Sequence, residues 1–305
     1  MKQIRHAALV GLGALGIMYG KQLIDHFGPE ALTVMADTKR IRRYQNNGVF
    51  ANGEPCLFRY CSWEEASEPA DVVFFATKYT TFAQAIRQAS AIISPDTILI
   101  SLLNGIVSEN DLALQYGDKN LLYCTVQGMD ATKTGNGVSY QNLGYVAIGE
   151  KDGSHSENLL AVQRFLTSAG LDCRIPEDIL HHQWSKMMLN TGINQVTAVY
   201  QYTYGEVMSN PELTALTTSA MKEVQAVARP EGVFLADAEI DSWLDLIRGL
   251  APENTTSMCQ DIRNHRKTEV DLFGGTTIRL GKKHQIPTPV NDDLVRKIHE
   301  IEASW

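Results

Sequence analysis

The sequence predicts an α/β chain. A Rossmann-type doubly wound sheet with an antiparallel extension is expected over residues 1–176, and an all-helical domain over 177–305. Three observations predict this. Short apolar runs alternate with helix-period segments through the first half, the pattern of a parallel sheet with crossover helices. A glycine-rich turn, Gly11-Leu12-Gly13-Ala14-Leu15-Gly16, joins the first run to the first helix. From Glu177 onward the periodicity is helical to the end.

Ala7-Ala8-Leu9-Val10 is apolar throughout and reads as a strand buried on both faces. It feeds the match to G-x-G-x-x-G, after which a helix is expected to about Phe27. Gly11 permits the tight turn, Gly13 lets the backbone approach a pyrophosphate, and Gly16 lets helix and strand pack closely. Free N–H groups at the helix start then face the phosphates. The strand before, the helix after and the place early in the chain all agree with dinucleotide binding. Leu12, Ala14 and Leu15 are cofactor-binding candidates with the three glycines.

Leu32-Thr33-Val34-Met35-Ala36 is the second strand, ending at Asp37. An acidic residue there, about 20 residues beyond the glycine turn, bonds a ribose 2′-hydroxyl and repels a 2′-phosphate, favouring NAD. Lys39, Arg40, Arg42 and Arg43 follow and would neutralise a 2′-phosphate, and Asp37 also suits a helix N-cap. Asn52-Gly53, between Val49-Phe50 and Leu57-Phe58, predicts a small hairpin. Asp71-Val72-Val73-Phe74-Phe75-Ala76 and Thr97-Ile98-Leu99-Ile100-Ser101-Leu102-Leu103 are further buried strands. They end in Lys78 and Asn104, at the sheet edge where open α/β folds bind ligands. Taken singly, Lys78 is a surface lysine and Asn104 a turn residue before Gly105.

Leu121-Leu122-Tyr123-Cys124-Thr125-Val126, Gly137-Val138-Ser139-Tyr140 and Tyr145-Val146-Ala147-Ile148-Gly149 predict the antiparallel extension. A helix over 156–168 and a strand near Leu171-Asp172-Cys173-Arg174 close the first domain, with Pro176 as the boundary. In the second half, Pro211 opens a helix after Asn210 and another spans 237–248. A segment starts at Ser257, a long helix is expected over 268–284, and a last one runs over 290–302.

At 305 residues and 44% hydrophobic, the chain can bury more than one core. A net charge of −8 argues against nucleic-acid binding, which needs clustered Lys and Arg. Five widely spread cysteines without a C-x-x-C pair fit idle thiols in a reducing cytosol. His181-His182 lack helical ligand spacing, so no metal site is expected. No apolar run is long enough to span a membrane and no signal-peptide pattern is found, so a cytoplasmic location is expected.

The chemistry concentrates in Trp184-Ser185-Lys186-Met187-Met188-Leu189-Asn190-Thr191-Gly192-Ile193-Asn194. On a helix, Lys186, Asn190 and Asn194 fall at i, i+4 and i+8, along one side. The bland account is a solvated polar stripe. With a nucleotide fold upstream, the same row offers a proton donor and two positioning amides. A ketone accepting hydride needs such a donor and a donor-rich site for the developing oxyanion. Ser257, by default a helix N-cap or first-turn residue, also suits a substrate carboxylate.

These pieces, with Ser257-Met258-Cys259-Gln260-Asp261-Ile262 and Thr268-Glu269-Val270-Asp271, give the chain a resemblance to the ketopantoate reductases (2-dehydropantoate 2-reductases) over essentially its whole length. The resemblance implies a helical domain like the C-terminal one of 6-phosphogluconate dehydrogenase. It implies NADPH-dependent reduction of 2-dehydropantoate to pantoate, towards pantothenate and coenzyme A. It makes Lys186 the general acid and Glu269 the support of the lysine or the substrate. Asn190, Asn194 and Ser257 would bind substrate with Asn254 nearby, and Lys78 and Asn104 would lie beside the nicotinamide and the lysine. The family often has Arg where this chain has Asp37, which leaves NAD(H) open. A related reductase of another 2-oxo acid and a dinucleotide-binding sensor without turnover are the alternatives. A homodimer is left open.

Overall fold

A computed structural model describes residues 2–305. The chain divides into two compact units, Met1–Ile179 and Leu180–Trp305.

The first unit is built on an eight-stranded sheet. Strand β1 (Ala7–Val10) is buried along its whole length, and helix α1 (Ala14–Phe27) follows the glycine turn. Strand β2 (Leu32–Ala36), helix α2 (Thr38–Asn47) and the edge strand β5 (Arg59–Ser62) lie on one side of β1. On its other side are β6 (Val72–Phe75), β7 (Ile98–Ser101) and β8 (Leu121–Met129). Helices α3 (Phe82–Gln88) and α4 (Ser108–Tyr116) follow β6 and β7. From β5 to β8 all neighbours pair in parallel. Strand β11 (Leu143–Gly149) then pairs antiparallel with β8, and β12 (Asp172–Arg174) follows it after helix α5 (Glu157–Ser168). Ser156 caps α5 by accepting the Leu159 N–H at 3.0 Å.

A second, four-stranded sheet holds β3 (Phe50–Ala51), β4 (Glu54–Pro55), β9 (Thr132–Thr134) and β10 (Gly137–Ser139) in the order β4-β3-β10-β9. The Asn52-Gly53 hairpin forms, with both residues at positive φ (50° and 84°), as a tight primed turn requires. Its second strand is Glu54–Pro55, however, and Leu57-Phe58 lie beyond it. The Gly137-Val138-Ser139-Tyr140 segment departs from expectation too, because it leaves the main sheet. It pairs in parallel with β3, and the Asn52 side-chain oxygen accepts the Tyr140 N–H at 2.8 Å. Strand β5 was not foreseen from the sequence.

The second unit is helical. Helix α6 (Ile179–Tyr200) is followed by α7 (Tyr204–Ser209), α8 (Pro211–Ala228) and α9 (Asp237–Arg248). Helices α10 (Ser257–Arg263), α11 (Gly274–His284) and α12 (Pro289–Ala303) complete it. The expected helix over 268–284 is broken. A single 3-10 turn covers Val270–Leu272, Phe273 sits at φ −101° and ψ −92°, and the α-helix starts only at Gly274. Two successive glycines are poor helix interior but tolerable at its start. Gln195 on α6 donates to Asn291 on α12 at 2.8 Å, and Asn291 donates to Glu223 on α8 at 2.7 Å. That buried chain of bonds fixes the register of three helices.

All five cysteines are free thiols. Burial pushes Cys56 up to about 11 and Cys173 up to about 12, so neither is a ready thiolate. Among the described residues no helix is long and apolar enough to cross a membrane, and no group of His, Cys, Asp and Glu could hold a metal ion.

Candidate active site

In the first unit the strand order β7-β6-β1-β2 sets the ends of four parallel strands side by side. Those ends carry Asn104, Lys78, the glycine turn and Asp37 respectively. Gly11 sits at φ 103°, a region that disfavours any side chain. A Cβ on Gly16 would lie 2.3 Å from the Gly11 carbonyl oxygen, and one on Gly13 3.1 Å from that of Ala76. The turn therefore packs closely on itself and on Ala76 just beyond β6, which only glycine permits at these positions. A pocket beside it is lined by Gly11, Leu12, Asp37, Arg40, Tyr44 and Thr77. Thr77 Oγ1 is buried there with no hydrogen-bond partner. A glycine cradle and an orphaned hydroxyl both fit a dinucleotide.

Asp37 is the N-cap of α2, its Oδ1 accepting the Arg40 N–H at 2.8 Å. The Arg40 Nε lies 3.4 Å from the other carboxylate oxygen. Lys39 is exposed on α2, outside the pocket lining, while Arg40, named beside it from the sequence, is part of that lining. Lys78 is exposed just after β6, and Asn104 is half-buried after β7.

In the second unit α6 carries Lys186, Asn190 and Asn194 along one side. Trp184, Met187, Met188 and Ile193 are buried around them, while Lys186 and Asn190 are half-buried. Asn194 is only 6% exposed. The Thr197 hydroxyl, one turn further on, lies 2.7 Å from that of Thr256, so the start of α10 is pinned against this end of α6. Ser257 and Asn254 lie close to Thr256 in sequence at that start, and both are exposed. The cap of α10 is Thr256, which accepts the Cys259 N–H at 3.2 Å, and Ser257 is the first helical residue. A threonine hydroxyl satisfies the orphan N–H, leaving that of Ser257 for other work. Glu269 precedes the 3-10 turn rather than riding a helix, and its neighbour Val270 packs in one core cluster with Ala198 and Met258.

The row on α6 is steadied from α9. Ser185 donates to Glu239 Oε2 at 3.0 Å and accepts from the Trp243 indole at 3.0 Å. Neither partner was anticipated from sequence, and nor were Tyr44, Thr77 and the Trp63 that also lines the pocket. Thr77 alone had a signal, being the first residue beyond the expected strand.

Two family models match, together nearly end to end. Ketopantoate reductase PanE/ApbA matches residues 7–153, and ketopantoate reductase PanE/ApbA C terminal matches residues 178–302. The chain belongs to the ketopantoate reductase family. As a ketopantoate reductase family member it is an oxidoreductase acting on a ketone. A 2-dehydropantoate 2-reductase of Archaeoglobus fulgidus is 29% identical over 307 residues, covering 99% of each chain. A solved D-mandelate dehydrogenase with NADH and anilino(oxo)acetate superposes with a TM-score of 0.88 at 22% identity, over 98% of this chain and 99% of its own. A PanE/ApbA family ketopantoate reductase from Ralstonia eutropha gives 0.86 at 23% identity, over the same shares. At those identities the two structures establish the fold.

Proposed function

We propose that this member of the family reduces 2-dehydropantoate to pantoate, a step towards pantothenate and coenzyme A. Residues 1–176 hold a nicotinamide dinucleotide, and residues 177–305 present the acid and the substrate-binding side chains. The observation that carries this is the row of Lys186, Asn190 and Asn194 on a helix otherwise packed into a core. The bound reduced nicotinamide supplies the hydride. Lys186 gives its proton to the substrate oxygen as the C2 ketone becomes an alcohol, so that no free alkoxide forms. Asn190 and Asn194 donate amide hydrogens to substrate oxygens and fix which face of the carbonyl is presented. Ser257 holds the carboxylate with Asn254 nearby, and Glu269 supports the lysine. Gly11 to Gly16, with Lys78 and Asn104, receive the cofactor.

The family resemblance implies NADPH, yet Asp37 supports NADH as the preferred cofactor. Its carboxylate is held at the end of β2 by the Arg40 N–H, where it accepts from a ribose hydroxyl and repels a 2′-phosphate. Following the loss of reduced-nicotinamide absorbance with purified protein tests both points. Oxidation of NADH by 2-dehydropantoate, faster than that of NADPH, is expected. Turnover of a different 2-oxo acid with none of 2-dehydropantoate would keep the chemistry and overturn the substrate. No oxidation with any 2-oxo acid would overturn the enzyme assignment in favour of a sensor.

A further inference from the structure

A lysine faces inward where the sheet pattern calls for an apolar residue. Lys133 lies on β9 directly opposite Val138 of β10, and Val138 pairs with Ala51 of β3. Opposed residues in neighbouring strands share a face, and Val138 and Ala51 are both buried in the core of the first unit. The flanking Thr132 and Thr134 point the other way and are exposed. The Lys133 ammonium reaches the glycine turn and donates to the Leu12 carbonyl.

A neutral carbonyl satisfies one of three ammonium hydrogens and none of the charge. No carboxylate acts on Lys133 among the described residues; the charge that does is Arg43, also positive. Burial, with Arg43 adding to it, lowers the lysine pKa from its ordinary value. Partly burying a cation beside another cation is costly unless an anion completes the site. The glycine turn, with Thr77 Oγ1 orphaned across it, is where this fold brings a doubly charged pyrophosphate.

We propose that Lys133 is a cofactor-binding residue, its ammonium pairing with the pyrophosphate of the dinucleotide from the edge of the small sheet while it holds the turn through Leu12. The inference rests on dinucleotide binding by the first unit, but not on which 2-oxo acid is reduced. Its test is therefore affinity, without turnover. Dissociation constants of NADH and NADPH are measured by fluorescence on the full chain, for wild type, Lys133→Met and Lys133→Arg, at low and high KCl. Methionine fills similar space, and arginine keeps the charge.

A charge-assisted contact predicts that Lys133→Met weakens both nucleotides about tenfold or more at low salt. The gap narrows as salt screens the wild-type contact, and Lys133→Arg stays near wild type. Unchanged affinity overturns the assignment. So does a loss confined to NADPH, which would place the ammonium on the 2′-phosphate, or a loss independent of salt, which would make Lys133 a neutral brace for the turn. Failure of the wild type to bind either nucleotide would overturn it together with the dinucleotide site itself.

Discussion

The Asp37 carboxylate accepts the Arg40 backbone N–H at 2.8 Å, so one side chain both starts α2 and faces the pocket beside the glycine turn. The two roles separate in Asp37→Ser. Serine caps a helix nearly as well as aspartate, whereas alanine would cost about 1 kcal/mol. Asp37→Ser is therefore expected to keep the thermal midpoint close to wild type. Without the carboxylate, Arg40 is released to meet a 2′-phosphate. The ratio of kcat/KM for NADPH over NADH is expected to rise by about tenfold, matching a charge contact worth about 1.4 kcal/mol. A ratio that stays put would detach Asp37 from cofactor choice.

Gly16 has no room for a methyl group, since its Cβ would sit 2.3 Å from the Gly11 carbonyl oxygen. That neighbour is backbone and cannot rotate aside. Gly16→Ala is expected to push helix α1 off β1, destabilising the first unit by about 1–3 kcal/mol as overpacked cores do. Dinucleotide affinity should fall with it. Urea unfolding and nucleotide fluorescence read the two effects separately. An unchanged unfolding midpoint would mean that the turn opens without strain.

Elements set by local rules were legible in the sequence, and those set by distant pairing were not. β1, the glycine turn and α1 follow from adjacent residues, as do the Asn210 cap and Pro211 at the start of α8. Spacing alone puts Lys186, Asn190 and Asn194 on one side of α6. β5, by contrast, reads Arg-Tyr-Cys-Ser and has no apolar run, because it is an edge strand paired only with β2. β10 has the right pattern for a strand, but its sheet is chosen by β3, far away in sequence. The same pairing turns Lys133 inward, which no local spacing encodes. The expected helix over 268–284 failed where periodicity ran across Gly274-Gly275, a start mistaken for an interior.

Glu239 links acid stability to the helix that carries Lys186. Burial raises its pKa, but bonds from the Ala236 N–H at 2.8 Å, His181 and Ser185 outweigh that and leave it below the ordinary value. A carboxyl depressed in the folded state contributes stability above its unfolded pKa of about 4.3, and that contribution is lost as pH falls through the lower folded value. Wild-type stability should therefore drop as pH falls below about 4.3. Glu239→Gln keeps an acceptor but cannot ionise, so it should be less stable at neutral pH and show a shallower acid slope. Urea midpoints across that range check this. Parallel slopes would remove Glu239 from the acid response.

Lys186 is the position on which the proposed proton transfer is tested. It is half-buried on α6 between Ser185 and Met187, both buried, so the backbone beneath it is held by packing and by the Ser185 bond to Glu239. Lys186→Met keeps helix propensity and much of the side-chain volume while removing the ammonium protons of that side chain. The fold and the cofactor affinity should both survive, because the nucleotide cradle is assigned to the first unit. Turnover should fall by about 10²–10⁴, the contribution of a positioned general acid. KM for the 2-oxo acid should change far less than kcat, since proton transfer matters in the transition state more than in the bound ground state. Single-turnover oxidation of bound NADH by Lys186→Met separates these terms. A rate near wild type would move the proton donor to another group, whereas a rise in KM alone would make Lys186 a substrate-binding cation.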